Sequence, residues 1–290
     1  NTATEQNFPM YLLRSTTGCA LLALGLQTVL TGQPSSPSDR ARLIVEQALA
    51  RAARNKEQDW EGQYRSHMTR EVRRFDKDGT ITEQDHGDFE VVPVEGLPFE
   101  RRLTINGRPL SNEERGWEDE RETEFRENII RTRSTEREVE SEVEEIAFND
   151  ELIGRYVFTL EEEGELRRRP TYRVSFKPRS QNLPVRRRID HALNNAQGTV
   201  WIDRDTHEAA RVEFELIDRV RLWWGVLGSI LQARGSLDRR PILTAPNHQV
   251  WARVQFETYT DTRTLFKRTR RAEFRQWTDF DWVKNGGTGQ

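Results

Sequence analysis

The sequence predicts an antiparallel α+β fold, and three observations predict it. Segments of alternating apolar and polar residues recur along most of the 290 residues, turn signals separate them at hairpin spacing, and no βαβ alternation runs through the chain. The clearest case is Gly198 to Leu216. Val200 and Ile202 alternate with Trp201 and Asp203; after a polar turn, Ala210, Val212, Phe214 and Leu216 alternate with Arg211, Glu213 and Glu215. A period of two puts one apolar row and one charged row on opposite faces of an antiparallel pair. One face of such a sheet is wet and the other needs a cover. Whether core helix or cargo covers it is the functional question.

The elements follow in chain order. Ser36 to Asp39 offer helix caps, and Ala41 to Arg54 carry Leu43, Ile44, Ala48 and Leu49, with Ala52, on one helical face. Trp60 to Phe75 reads as a strand, Asp76-Lys77-Asp78-Gly79 as its turn, and Thr80 to Pro93 as the returning strand. A calcium loop is excluded there, because glycine stands at the fourth place and no glutamate at the twelfth. Arg101 to Ile105 leads into Asn106-Gly107, a type I′ turn signal, and Ser111 with Glu114 forms a capping box that opens a helical segment to about Phe148. Phe125, Ile129, Val139, Val143 and Ile146 mark its apolar stripe. Further strands are expected at about 152–160, 171–177, 198–203, 208–218, 248–260 and 262–278, with a short helix at about 184–196.

Hydrophobic residues make up 34% and charged residues 32%, so the core is modest and the surface heavily charged. Lys plus Arg count 45 against 48 Asp plus Glu, a net of −3, which argues against a nucleic-acid partner. Lysine occurs only at 56, 77, 177, 267 and 284, so nearly all cations are arginines. With Cys19 the single cysteine, no intramolecular disulfide and no thiolate metal cluster can form. Residues 10 to 32 read as a signal peptide. Arg14 supplies the positive end, and Cys19 to Leu30 form an apolar run too short to span a bilayer. The other reading is a buried N-terminal helix; the linker from Pro34 to Pro37 favours export. Residues 1–32 are thus expected to be leader and signal peptide, 33–285 one domain, and 286–290 a flexible tail.

Catalytic motifs are scarce. The chain has no Gly-x-Ser-x-Gly elbow, phosphate loop, dinucleotide fingerprint or His-Glu-x-x-His, and its histidines at 67, 86, 191, 207 and 248 lack ligand spacing. His207 with Asp203 and Asp205 shares a polar turn, which needs no metal to exist. The expectation is a non-enzyme without metal or cofactor. Val220 to Leu231 is the sharper candidate: Leu222, Trp223, Trp224, Val226, Leu227, Ile230 and Leu231 crowd around Gly225 and Gly228. Tryptophan suits a lipid-pocket mouth or a membrane interface. Two readings stand, a core plug at the open end of the sheet, or a ligand-facing lid built from Trp223, Trp224, Val226, Leu227, Ile230 and Leu231 that touches a membrane transiently. Arginine runs at 167–169, 186–188 and 268, 270 and 271 fit either anionic headgroups or cross-strand ion pairs.

The strand Gly198-Thr199-Val200-Trp201-Ile202-Asp203, its turn and the following Arg211-Val212-Glu213 strand resemble the LolA/LolB-type superfamily of outer-membrane lipoprotein-sorting proteins, and its uncharacterised bacterial envelope members most. Asp76–Gly79, Val91–Gly96, Asn106–Ser111, Tyr172–Pro178 and Arg271–Phe280 extend the resemblance over roughly residues 40 to 283. The chain departs from it at Trp251-Ala252-Arg253, where Trp-Leu-Pro is expected, so strand register is open there. The resemblance implies a half β-barrel wrapped around helices, a periplasmic location, and a hydrophobic concavity for a lipid, acyl chain or lipoprotein. A different class of function is an envelope sensor or scaffold that meets a protein partner through the acidic helix at 111–147, where 14 acids face 6 arginines.

Overall fold

The computed structural model describes residues 36–58, 63–134, 150–180, 183–222, 228–245, 248–264 and 267–283. In chain order the elements are helix α1 (Pro37–Gln58), strands β1 (Tyr64–Phe75), β2 (Ile81–Val94), β3 (Leu97–Arg102), β4 (Thr104–Ile105) and β5 (Arg108–Pro109), and helices α2 (Asn112–Ser134) and α3 (Asp150–Arg155). Then come β6 (Tyr156–Leu166), β7 (Arg169–Pro178), α4 (Arg188–Leu193), β8 (Ala196–Asp203), β9 (Ala209–Leu216), β10 (Val220–Leu222), β11 (Gly228–Ala245), β12 (His248–Thr264) and β13 (Lys267–Trp282). Eleven strands form one antiparallel sheet in the order β3-β2-β1-β13-β12-β11-β9-β8-β7-β6, with β10 added to β11. The first and last long strands, β1 and β13, pair with each other, and among the described residues β3 and β6 are its edges, so the sheet is open. The α+β prediction holds. The β6 edge carries Glu161, Glu162, Glu163 and Glu165, charges of the kind that discourage edge-to-edge pairing.

Turn chemistry follows the sequence closely. Asp76 Oδ1 accepts from the Asp78 and Thr80 amides, both at 2.9 Å, which closes the β1–β2 hairpin as a plain turn. Asn106 (φ +50°) and Gly107 (φ +80°) are both left-handed, as a type I′ turn requires. The capping box is complete: the Glu114 amide donates to Ser111 Oγ at 3.2 Å, and the Ser111 amide to Glu114 Oε2 at 2.8 Å. Arg108 forks the same carboxylate, and that pair together with the Ser111 bonds holds Glu114 down to about 2.

Directly opposed residues in an antiparallel ladder share a face, so the registers define two faces across the whole sheet. The inner face carries Tyr156, Phe158 and Leu160, then Val174, Val200, Val212, Leu237, Phe256, Arg275 and Arg70 across successive strands. Helix α1 lies on this face against β6 and β8. It buries Ala41, Ile44 and Val45, with Ala48 and Leu49, on Tyr156, Phe158, Val174 and Ile202. Ser36 caps it through the Asp39 amide at 3.1 Å. The expected stripe is rotated by a fraction of a turn. Leu43 is 48% exposed, because the set 41, 44, 45, 48 gives a better i, i+3, i+4, i+7 face than one centred on Leu43.

Helix α2 packs on β3 instead, placing Phe125 on Phe99 (centroids 5.2 Å apart) and Arg121 over the same ring at 4.4 Å. Its apolar stripe is confirmed at Phe125 and Ile129; Val139, Val143, Ile146 and the rest of the expected helix beyond Ser134 fall outside the described residues, apart from the separate short helix α3. The outer face is wet and arginine-rich. Trp201 lies between Arg173 and Arg211 at 5.8 and 5.7 Å, and Tyr259 under Arg234 at 5.3 Å, so arginines shield its aromatics.

Three strands differ from expectation. The strand expected at about 152–160 begins only at Tyr156, after helix α3, and runs on to Leu166. Residues 228–245, expected to hold no strand, form the 18-residue β11 inside the sheet. Strand β12 runs to Thr264 and β13 begins at Lys267, whereas the sequence pattern puts the break at about 261. At the Trp251–Arg253 departure the register does shift, where Asp238 opposes Gln255 but Arg239 opposes Arg253, a bulge that leaves Val254 as the extra residue.

Candidate functional site

The middle of the inner face is where the sheet lacks an extensive helical cover among the described residues. The described helices pack against β3, β6, β8 and β10, whereas Val212, Phe214, Leu237 and Phe256 on the intervening strands are only half-buried. Close backbone packing flattens this strip: a Cβ on Gly235 would stand 2.7 Å from the Glu257 carbonyl and 2.8 Å from the Phe214 ring, so glycine lets the phenyl lie across β11.

Of the lid residues expected from sequence, Ile230 and Leu231 are described. Ile230 opposes Val220 on one side and Thr262 on the other, which puts it on the same face as Leu237 and Phe256. Leu231 occupies a bulge between Ile230 and Gln232. Trp223, Trp224, Val226 and Leu227 lie outside the described residues; in sequence they connect Leu222 to Gly228, which are paired in the β10–β11 hairpin. Val220 is 2% exposed, so at least this end of the segment is core.

Two cavities flank the strip, and arginine dominates both. The first, ≈ 430 Å³, lies across β1, β2 and β13 and is lined by Arg70, Arg74, Arg102 and Arg271 with Glu83 and Asp85. Beside it Glu273, 9% exposed, accepts from Arg271 Nη2 at 2.7 Å and Arg275 Nε at 2.6 Å. Arg70 Nε faces the same carboxylate at 3.3 Å in an ion pair without hydrogen-bond geometry. Burial would raise the Glu273 pKa, but Arg275, Arg271 and Arg70 together hold it below the ordinary range. The second cavity, ≈ 260 Å³, is lined by Leu166, Arg167, Arg169, Ala210, Arg239, Arg240, Pro241 and Trp251. It forms where the tip of the β6–β7 hairpin meets β11 and β12.

The polar turn at His207 is built around Asp203, which is fully buried. Arg169 donates to it through Nε at 2.5 Å and Nη2 at 3.0 Å, and Thr206 through its amide at 2.9 Å and hydroxyl at 2.8 Å. Burial pushes its pKa up, and these donors more than reverse that. Asp203 is therefore a structural anchor, its oxygens already engaged by protein donors. Glu208, 1% exposed, ties three elements together: Oε1 accepts from Arg51 (2.8 Å) and Asn55 (2.7 Å) of α1, Oε2 from Arg239 (2.9 Å) of β11. The arginine runs resolve mainly into ion pairs, Arg167 with Asp238, Arg187 with Asp190, Arg268 and Arg270 with Asp261, and Arg271 with Glu273.

The chain is similar to several solved structures. They include a DUF1329 family protein from Desulfovibrio piger (13% identity, 84% of this chain and 95% of that one, TM-score 0.30). An outer membrane lipoprotein-sorting protein domain from Vibrio parahaemolyticus (10%, 85% and 95%, 0.29) and a LolA superfamily protein from Nitrosomonas europaea (8%, 84% and 94%, 0.28) are similar to it as well. No protein-family model matches the chain, and no curated protein does. At these identities and TM-scores the likenesses carry no argument about function, and the chemistry of the site comes from this chain's own side chains.

Sequence reasoning missed both cavities. Each is lined by strands or hairpin tips far apart in the chain, such as residues 70 and 271, or 167 and 251. The available signal was the arginine runs, whose members at 167, 169 and 271 line them.

Proposed function

We propose that this chain is a non-catalytic periplasmic binding protein that holds or carries a lipid, acyl chain or lipoprotein on the inner face of a half-barrel sheet. The observation that carries the reading is the strip of Ile230, Leu237, Val212, Phe214 and Phe256, half-buried and lying between the strands on which the described helices pack. Trp223, Trp224, Val226 and Leu227 adjoin it in sequence through the β10–β11 hairpin, and with Ile230 and Leu231 they complete the proposed contact set. The leader expected from sequence at residues 10–32, which lies outside the described residues, supports export, and no described helix is long and apolar enough to cross a membrane. Each buried methylene of an acyl chain contributes about 0.8 kcal/mol before binding costs, so a single chain reaches useful affinity without any covalent chemistry. No metal or cofactor enters this reading.

The test is mass spectrometry of protein purified gently from its own envelope fraction, with organic extraction of what co-purifies. A stoichiometric lipid or acylated peptide that is lost in Phe256→Asp, and in the double variant Trp223→Ala and Trp224→Ala, is the expected result. An apo protein that also refuses added lipid ends the reading.

One observation favours a second reading, a scaffold that meets a protein partner. Helix α2 is held to β3 by Phe125 and Ile129, yet it exposes Trp117 (58%) and Ile130 (51%) among its acids. Under that reading Trp117→Ala with Glu120→Lys and Glu124→Lys abolishes capture of a basic partner and leaves lipid binding intact.

A further inference from the structure

We propose that the cavity at the tip of the β6–β7 hairpin is an anion site that takes the phosphate or carboxylate head of an amphiphile whose chain lies on the inner strip. This deepens the proposed function, on which it rests for the chain though not for the head.

Four arginines line this ≈ 260 Å³ space, and no carboxylate among the described residues does. Three of them are held by acids outside the lining: Arg167 by Asp238 at 2.7 Å, Arg169 by Asp203, and Arg239 by Glu208 at 2.9 Å. Those acids fix the guanidinium positions and leave donors unspent. Arg169 uses Nε and Nη2 on Asp203, and Arg240 makes no ion pair with a described residue. Trp251 is the independent observation. It is 8% exposed, it lines the cavity, and its buried indole N–H has no hydrogen-bond partner. A buried donor left unmet is costly unless a ligand or water meets it. Arginine forks and an indole N–H supply donors without competing acceptors, which is the chemistry that selects a phosphate or carboxylate oxygen.

The hairpin tip is also shaped at a cost. Arg167 (φ +53°) and Arg168 (φ +66°) are both left-handed, in a turn that asparagine and glycine fill with less strain. The turn brings Arg167 to Asp238 and so to the cavity wall.

The geometry ties the head to a tail. Leu237 and Arg239 lie two residues, about 7 Å, apart on one face of β11, so the cavity wall formed by Arg239 and Pro241 adjoins the apolar strip. The remaining lining, Leu166, Ala210 and Pro241, is apolar and suits the carbon next to the head.

Binding of full-length protein to three probes tests this: inorganic phosphate, phosphatidylglycerol vesicles and neutral diacylglycerol dispersions. The variants are Trp251→Phe, which keeps the ring under Arg169 and deletes the N–H, and Arg240→Gln, an exposed residue whose loss leaves the fold intact. Preference for phosphatidylglycerol over diacylglycerol that falls about tenfold in either variant, with diacylglycerol binding unchanged, is expected. Competition by phosphate would mark a site that reads the anion alone, and no competition a site that needs head and chain together; both uphold it. Equal binding of both lipids in wild type and variants overturns the anion site and leaves the carrier reading standing. Phosphate binding that is lost in the variants, without uptake of any lipid, upholds the anion site and ends the carrier reading.

Discussion

On the β6–β8 side the inner face is sealed by hydrocarbon, with Ala41, Ile44 and Val45 of α1 on Tyr156, Phe158, Val174 and Ile202. On the β1–β2–β13 side the same face carries, next to the buried Met68–Phe89–Trp277 cluster, Arg70, Arg74, Arg271 and Arg275 around Glu273, and the ≈ 430 Å³ cavity opens beside them. One sheet thus closes its inner surface by burial at one end and by charge pairing at the other. The apolar end gains from area removed from water and tolerates no gap. The charged end keeps open space beside it, its charges paired around Glu273 although Arg70 Nε and Arg271 Nε make no hydrogen bond. The strip between touches the Met68–Phe89–Trp277 cluster only through Phe256 and has no described helix packed extensively over it, and that is why cargo is placed there.

The largest effect expected from this contrast is at Ile202, 1% exposed beneath α1. Ile202→Ala should cost about 2–5 kcal/mol, read as a lower denaturation midpoint at unchanged slope. A loss below 1 kcal/mol would mean that α1 is not a sealed lid. Gly198→Ala comes next. A Cβ there would stand 1.9 Å from the Glu213 carbonyl and 2.7 Å from the Phe176 ring, so β8 must move off β9. About 1–3 kcal/mol of overpacking is expected, again from chemical denaturation.

Those two positions show what the sequence made legible. The glycine that opens the Gly198–Asp203 motif is required by a close approach, and the alternation after it carries the register of β7, β8 and β9. Local turn chemistry at Asp76, Asn106 and Ser111 was equally readable, because each signal is complete within a few residues. Strand β11 was not. Gly235 and the run Asp238-Arg239-Arg240-Pro241 break its alternation. Proline is tolerated because β9 pairs only with residues 234–238, so at Pro241 the side of β11 away from β12 is locally an edge. The apolar cluster at 220–231 read as one lid, yet its two ends are paired strands, a distinction that depends on β12 about thirty residues later. The cavities left only the arginine runs as a local trace, because their other lining residues come from strands far apart in the chain.

At the charged end the expected effect is moderate and depends on pH. Glu273 is held below the ordinary carboxylate range in the fold, so its contribution is complete above that range and is lost as pH falls through the folded value. Glu273→Gln should cost about 1–3 kcal/mol near neutrality and converge on wild type in acid, because only the wild type has that carboxylate to protonate. Parallel stability curves across the acid range would show that Glu273 is not a hub of the three arginines.

The smallest effect separates hub from rim. Arg74 lines the same cavity, but it is half exposed and pairs with the equally exposed Glu83. Such a pair gains little from attraction through water and spends side-chain entropy to form. Arg74→Ala should therefore cost under about 1 kcal/mol, and that difference should fade when salt is raised toward 1 M. If Arg74→Ala equalled Glu273→Gln and persisted in high salt, the charged end would act as one cooperative network. The contrast between its centre and its rim would then have to be abandoned, while the contrast with the hydrocarbon end would become sharper.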